Sequence, residues 1–451
     1  MTLTLDLIRN CLEGAVPAVL ATCDPDGMPN VSMVSQLHYV DPERLAISYQ
    51  FFNKTRRNLL AIGWAAVDVC DAATGATYRL DLDFETTETD GPLFEAMKAR
   101  LAGIASHTGM DGVFRLLGAD VFRVRAIAQV PGPVLTPPPA LAGNALAATR
   151  RTCEAIAAPS DLGALLDATL ACLRDHFAIR HAMILMLDAA AGRLYAVATC
   201  GYDRSGVGWE VAVGEGVIGV AAREGVPIRI GHMTSEYRYG TAIRSEAAQR
   251  GVTWEERTAI PFPGLAAPES QVAVPIRSAT TTLGVLFAES PQPLRFGHAD
   301  EDALALIAGR LGSMITLVQQ ADAATPGAPG AEAAEGRHPP VTVRHYPVDD
   351  SVFLDNDYLI KGVAGAIFRK LVREHLAGRV EFTNRELRLD PALRLPEQAE
   401  NLEARLVLLE RRLRERGAPI RLQKSGRGRF HLVVACTLTL EEMPDPAART
   451  A

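Results

Sequence analysis

The feature that most constrains this chain is a pair of stretches that cannot join a packed core. PGPVLTPPPALAGNA (131–145) carries five prolines. Their rings fix φ and remove amide donors, so an extended, semi-rigid spacer is expected there. ADAATPGAPGAEAAEGRHPP (321–340) is rich in Ala, Gly and Pro and has no repeating apolar pattern. The two linkers cut the chain into residues 1–130, 146–320 and 341–440, with a tail at 441–451. Each part is large enough to bury its own core. No repeat of 20–50 residues is visible, so a solenoid or propeller is not supported.

The apolar share of 48% and charged share of 22% fit globular domains. No apolar run approaches the roughly 18 residues that span a bilayer. The opening MTLTLDLIRNCLEG has neither a basic start nor an apolar signal core, so a cytoplasmic chain with no membrane partner is expected. Seven cysteines (Cys11, Cys23, Cys70, Cys153, Cys172, Cys200, Cys436) are scattered and never spaced as CxxC. Neither a disulfide framework nor a metal site is expected. Charge is more informative. Residues 341–440 hold 18 Lys+Arg against 13 Asp+Glu, a surplus of five, which leaves −12 on the remainder of a chain whose total is −7. An acidic body with one basic end points to a nucleic-acid partner for that end.

In residues 1–130 a short helix (about 4–14) precedes AVPAVLATCD, GMPNVSMVSQLHYVD and ERLAISYQF, three strands joined by tight turns, with Asp24-Pro25-Asp26-Gly27 a strong turn signal. NKTRRNLLAIG (53–63) reads as a helix whose first turn presents Lys54, Thr55, Arg56 and Arg57. Two strands, a helix near 91–104 and a last strand, VFRVRAIAQV, follow. The Ala21-Thr22-Cys23-Asp24…Gly27…Pro29 turn and the Lys-Thr-x-x-Asn-Leu helix entry resemble the pyridoxamine 5'-phosphate oxidase-like split β-barrels. The resemblance implies flavin mononucleotide (FMN) at a dimer interface. By position Ser48, Lys54, Thr55 and Arg57 would hold its phosphate, with the Tyr49–Gln50–Phe51 backbone near the ring. A phosphate dianion favours helix N-terminal amides, a lysine and a hydroxyl, although a solvated helix start has the same composition. The Arg-rich C-terminal segment by which the true oxidases hold their substrate is missing from the chain's pattern.

In residues 146–320 Ser160 is read as the cap of a helix with leucines at 162, 165, 166, 170 and 173. Two strands follow, then VAVGEGVIGVAAREGVPIRI, a strand hairpin in QVAVPIRSATTTLGVLFAES, and a long helix over 296–320. Glycines 214, 216 and 219 match a dinucleotide fingerprint by spacing, but no βαβ unit completes it. G-x-G-x-x-G-x-A, G-x-P-x-x-I, A-V-P-I and L-G-V-L together resemble a GAF domain, the small-molecule sensory relative of PAS domains. That resemblance implies a ligand whose identity no residue reveals. The loop 231–259 would cover the cavity, and His232 and Met233 in it have haem-ligating side chains. Cys200, near a strand end, fits an oxidation sensor or a buried inert thiol. Leu304, Ile307, Leu311, Met314 and Val318 form a stripe that suits core packing and a homodimer seam equally.

Residues 341–440 read as a hairpin (SVFLDNDYLIKG), three helices and a second hairpin around Gly426-Arg427-Gly428. In the long helix Leu402, Leu406, Leu409 and Leu413 share a face, which leaves Asn401, Arg405 and Arg412 on a polar stripe. The ending K-S-G-R-G-R-F-H-L resembles the winged helix of response-regulator effectors. That implies double-stranded DNA as partner, with Asn401, Arg405 and Arg412 on the major-groove helix and Arg427 and Arg429 in the wing.

The expected architecture is multidomain α+β: a split β-barrel, a GAF domain with a PAS-like antiparallel sheet and flanking helices, and a winged helix-turn-helix. The expected function is a homodimeric one-component transcriptional regulator in which flavin-type barrel and small-molecule sensor control DNA binding. The alternative is an FMN-dependent oxidoreductase with regulatory appendages, and a third possibility is a scaffold with neither activity. No catalytic residue is assigned.

Overall fold

The structure is a computed structural model that describes residues 3–12, 14–34, 37–49, 53–108, 115–136, 144–159, 161–231, 260–323, 338–393 and 402–443. The first module opens with a short 3-10 stretch, Leu5–Leu12. Strands β1 (Ala18–Cys23) and β2 (Pro29–Val34) form the expected hairpin. Its turn is held by the Asp24 carboxylate, which accepts from the Met28 amide at 2.8 Å. Gly27 supplies the positive φ of +80° that the turn needs. Then come β3 (Leu37–Asp41), β4 (Arg44–Tyr49), α1 (Asn53–Ile62), β5 (Trp64–Cys70), β6 (Thr77–Glu88), α2 (Gly91–Thr108) and β7 (Gly118–Val130). The strand order is β2-β1-β5-β6-β7-β4-β3.

GMPNVSMVSQLHYVD, read as one strand, is therefore two strands at opposite ends of that order. The cause is visible in the side chains. Val34 and Leu37 are both buried, yet three residues apart they fall on opposite faces of a continuous strand. The alternation slips phase, and β3 joins the other end of the sheet. Leu20, Val67, Leu80, Leu82 and Phe122 fill the interior.

The second module starts with α3 (Ala145–Ala155) and α4 (Leu162–Phe177). Asp161, not Ser160, caps α4: its carboxylate accepts from the Ala164 amide at 3.0 Å, and Ser160 lies outside the described residues. Strands β8 (His181–Asp188), β9 (Arg193–Cys200), β10 (Glu210–Ala212), β11 (Ile228–Ile230), β12 (Ser270–Ser278) and β13 (Thr281–Ser290) form one antiparallel sheet in the order β10-β9-β8-β13-β12-β11. Helix α5 (Gly216–Glu224) precedes β11, and α6 (His298–Ala323) closes the module.

Helices α3, α4 and α6 share an apolar cluster with one sheet face, and α5 packs on the other through Val217 and Val220 against Leu185 and Phe287. Ala99 from α2 of the barrel belongs to that second cluster. The contact is close enough that a Cβ on Gly103 would lie 2.6 Å from a methyl of Ile228. Leu304, Ile307, Leu311, Met314 and Val318 are all buried within this one chain. The stripe is therefore intramolecular core and not a two-chain seam, because the sheet and α3–α4 already occupy it.

The third module comprises β14 (His338–Tyr346), β15 (Ser351–Leu354), β16 (Asp357–Ile360), α7 (Gly362–Leu376), β17 (Glu381–Thr383), α8 (Asn384–Leu389), α9 (Leu402–Glu415), β18 (Ile420–Gly426), β19 (Arg429–Val434) and β20 (Cys436–Glu442). Thr383 and Glu386 form a capping box at the start of α8. One sheet runs β16-β15-β14-β20, with β20 parallel to β14; the other runs β17-β19-β18. Strand β14 begins at His338, inside the stretch read as linker, and β20 crosses into the segment read as tail. Among the described residues no helix is long and apolar enough to cross a membrane.

Candidate functional site

Two groups of residues were singled out by sequence, and the fold treats them differently. In the barrel, β4 ends at Tyr49 and α1 begins at Asn53. Gln50 and Phe51 lie between them, outside the described residues. Lys54 and Arg57 are exposed on the first turns of α1, and Ser48 is half-buried at the end of β4. Thr55 was expected to face a phosphate but is only 3% exposed. Its hydroxyl lies 2.6 Å from Ser32 Oγ and accepts from Asn30 Nδ2 at 2.9 Å. Asn58 donates to Thr22 at 3.2 Å in the same cluster. Thr55 therefore ties α1 to β2, because a buried hydroxyl must find partners inside the fold.

Sequence reasoning passed over the next position. Arg56 reaches back across the β4–α1 connection, 2.5 Å from Asp120 and 3.1 Å from Thr87, with its guanidinium stacked 3.9 Å from the Tyr49 ring. Thr87 also donates to Asp120, at 2.6 Å. The one available signal was that four consecutive polar residues on a helix cannot share a face, so one of them had to turn inward. What remains outward is Lys54, Arg57 and the α1 amides. That set suits the charge of a phosphate group, while the Thr55 hydroxyl of the expected cradle is committed elsewhere.

The C-terminal group is divided. Asn401 lies outside the described residues. Arg427 is exposed at the β18–β19 turn, and Arg429 is half-buried, 3.7 Å from Glu381. Arg405 and Arg412 were expected on a solvated stripe, and each is 5% exposed. Arg412 donates to the Leu359 carbonyl at 2.9 Å and pairs with Glu415 at 3.0 Å, both within its own module. Arg405 leaves its module altogether. It pairs with Asp188 at the end of β8 and stacks 3.8 Å from the Tyr195 ring on β9.

The reason is that α9 is covered on two sides. Leu402, Val407, Leu408, Leu409 and Leu413 all belong to one core that α9 shares with the GAF module, with Val407 lying beside Gly163 of α4 and Leu408 beside Gly208. Arg411 donates to the Val197 carbonyl at 2.8 Å and pairs with Asp167 at 2.8 Å. Lys424 meets Asp161 at 3.1 Å, Lys361 meets Glu210 at 3.7 Å, and Ser205 bonds Glu415. A cavity of about 290 Å³ opens at this junction, between Asp161 and Leu162, Glu403 and Glu410, and Arg427 and Arg429.

In the second module burial raises the Glu289 carboxyl above its usual range, although the Leu265 amide donates to it at 2.7 Å and Gln271 at 3.1 Å. Burial pushes the Cys200 thiol above its usual range, which disfavours the thiolate. His232 and Met233 lie outside the described residues. No cluster of three His, Cys, Asp or Glu suited to a metal occurs among the described residues. The glycines serve the backbone. Gly214 and Gly216 adopt φ of +92° and +60°, and a Cβ on Gly219 would lie 2.3 Å from the Ala212 carbonyl oxygen.

Comparison with known proteins agrees with the first two modules. The pyridoxamine 5'-phosphate oxidase family model matches residues 5–128, and the GAF domain model matches residues 161–315. The GAF domain of an Acinetobacter phosphoenolpyruvate-protein phosphotransferase is 21% identical over 40% of this chain and 96% of its own, with a TM-score of 0.31. Free methionine-R-sulfoxide reductase from Neisseria meningitidis, solved with its substrate, is 19% identical over 39% of this chain and 91% of its own, with a TM-score of 0.31. An FMN-binding protein from Syntrophomonas wolfei is 20% identical over 28% of this chain and 92% of its own, with a TM-score of 0.23. No curated protein matches the chain. The chain is thus a multidomain α+β protein that joins a pyridoxamine 5'-phosphate oxidase-like module to a GAF module.

Proposed function

We propose that the protein is a cytoplasmic one-component regulator in which the barrel and the GAF module control a winged-helix output that binds duplex DNA. The observation that carries this reading is the order of the third module. A helix, a short strand and two further helices lead into a hairpin, β17 pairs with that hairpin, and its turn presents Arg427 to solvent. The surplus of five positive charges over 341–440 supports the same partner. FMN at the barrel is the cofactor proposed, with Lys54 and Arg57 toward its phosphate; the GAF ligand is a small molecule of unassigned class.

A homodimer belongs to this reading, and its contact is assigned to the barrel. Val31 and Met33 on β2 are 64% and 66% exposed, beside the exposed Val19 and Trp64 on β1 and β5. Such an apolar outer face, next to an edge strand, favours a second copy. The test is titration of the full chain with labelled genomic duplex fragments over a range of salt. Arg427→Ala should weaken all sequences similarly and flatten the salt slope by about one ion. Absence of binding at any salt would remove the regulator reading. A yellow protein that turns over reduced nicotinamide would favour the oxidoreductase.

A further inference from the structure

Helix α9 is the element that the regulator reading assigns to the major groove, yet α4 and β9 of the GAF module pack against it. Its contacts have a consistent chemistry. Asp161, Asp167, Asp188 and Glu210 of the GAF module each meet a cation of the third module: Lys424, Arg411, Arg405 and Lys361. These carboxylates stand toward the basic end as phosphates would. Arg405 gains, in addition, an aromatic face from Tyr195. The acidic body and basic end seen in the sequence are therefore complementary surfaces within one chain.

We propose that the docked α9 is an intramolecular lock: the GAF carboxylates compete with duplex DNA for the same cations, and Arg405 is withheld until α9 leaves β8 and β9. The proposal rests on the DNA-binding reading and adds its regulation. Docking at a shared surface makes DNA binding and undocking one linked equilibrium, so any condition that loosens the junction raises apparent affinity for DNA. A GAF ligand that alters the β8–β9 end or α4 would act there directly, without a change in dimer spacing.

The test uses the full chain with Asp188→Asn and Asp167→Asn combined. Asparagine at 188 keeps the acceptor for the Ala191 amide, 2.9 Å away, so the β8–β9 turn is retained. Asp167 lies on the exposed side of α4. Two quantities are read: amide exchange over 402–415, and affinity for a fluorescent random duplex of about 30 base pairs near 100 mM salt. The lock requires exchange in α9 to accelerate and affinity to rise, each by about tenfold or more. Should the double variant lose its GAF fold, Asp161→Asn combined with Asp167→Asn loosens the same junction from α4 while asparagine keeps the helix cap, removes no cation from the third module, and must give the same pair of changes.

Each contrary outcome is decisive. Unchanged exchange over 402–415 would mean that these pairs do not hold the helix. Faster exchange with an affinity equal to that of the unsubstituted chain would leave the DNA reading standing and overturn the lock. Faster exchange with no DNA binding by either protein would overturn the DNA reading and the lock with it.

Discussion

Arg405 on α9 and Asp188 at the end of β8 stand 217 positions apart in the chain and close a buried ion pair across the junction of two modules. A pair of this kind contributes little net stability, because both charges are taken out of water. What it does contribute is specificity: removal of either partner strands a buried charge, so the junction tolerates one docking geometry and penalises its neighbours. Tyr195 beneath the guanidinium and the Arg411 contacts to β9 and α4 fix the same orientation. The long spacer before the third module therefore does not measure how strongly the modules are coupled.

Leu311 gives a sharp test of where the dimer is not. The side chain is fully buried between α6 and the sheet. Leu311→Glu places a carboxylate there without a partner and should abolish the cooperative unfolding transition of the GAF module. Leu311→Ala should lower its stability by about 2–5 kcal/mol. Both are read by chemical denaturation followed by circular dichroism. A Leu311→Glu protein that is folded and monomeric would return the stripe to a seam.

Two glycines at the first and fourth positions of α5, Gly216 and Gly219, should respond unequally. Gly216 has a left-handed φ of +60° but open space around its missing Cβ. Gly216→Ala should cost about 1–2 kcal/mol, the conformational penalty alone. Gly219 has an ordinary φ, yet its Cβ would collide with the Ala212 carbonyl. A backbone oxygen cannot rotate away, so Gly219→Ala should cost more than Gly216→Ala and shift α5 away from β10. Equal losses in denaturant midpoint would contradict this account.

These positions show how much the sequence could carry. Periodicity and turn chemistry located most of the elements, because Asp24–Gly27 and the leucines of α4 act within a few residues, but α3, β14, β17 and β20 were not among them. The GAF and barrel assignments followed from such local runs. What depended on a distant partner was illegible. Nothing near Arg405 announces Asp188, and nothing near Thr55 announces Ser32 and Asn30. A polar side chain was read as available because it was polar, when burial by another module had already given it partners. The parallel pairing of β14 with β20 was missed for the same reason.

The barrel's cationic turn can be separated from its hydroxyl cluster. Lys54 is exposed, so Lys54→Ala should change barrel stability by no more than about 0.5 kcal/mol and weaken added FMN by roughly tenfold, the worth of a charge-assisted bond to phosphate. Thr55→Val should do the reverse, losing about 1 kcal/mol of stability because half-buried Ser32 and Asn30 each lose a hydrogen-bond partner, although Asn30 keeps Thr22 at 3.3 Å. Flavin fluorescence quenching and thermal unfolding report the two quantities. Equal effects of the two substitutions on flavin affinity would restore Thr55 to the binding site.

His345 makes the attachment of the last strand dependent on pH. It is buried, with Nδ1 2.7 Å from Glu442 on β20 and Nε2 2.9 Å from Asp350, while Arg369 approaches Glu442 at 3.3 Å. Only the imidazolium can donate from both nitrogens. Burial and the nearby Arg369 oppose that charge, but the two carboxylates outweigh them and raise the pKa above the ordinary 6.5. A raised folded pKa means that this stabilisation is complete below about pH 6.5 and is lost as pH climbs through the folded value. Glu442 is held below its usual range, chiefly because the His345 contact overcomes the cost of burial, so its contribution fails only at more acidic pH. His345→Gln can serve one carboxylate at a time at any pH. Amide protection of 436–442 should therefore exceed that of the variant most near pH 5–6, and the difference should shrink toward pH 9. A difference that stays constant across that range would show that the imidazole holds β20 in its neutral form.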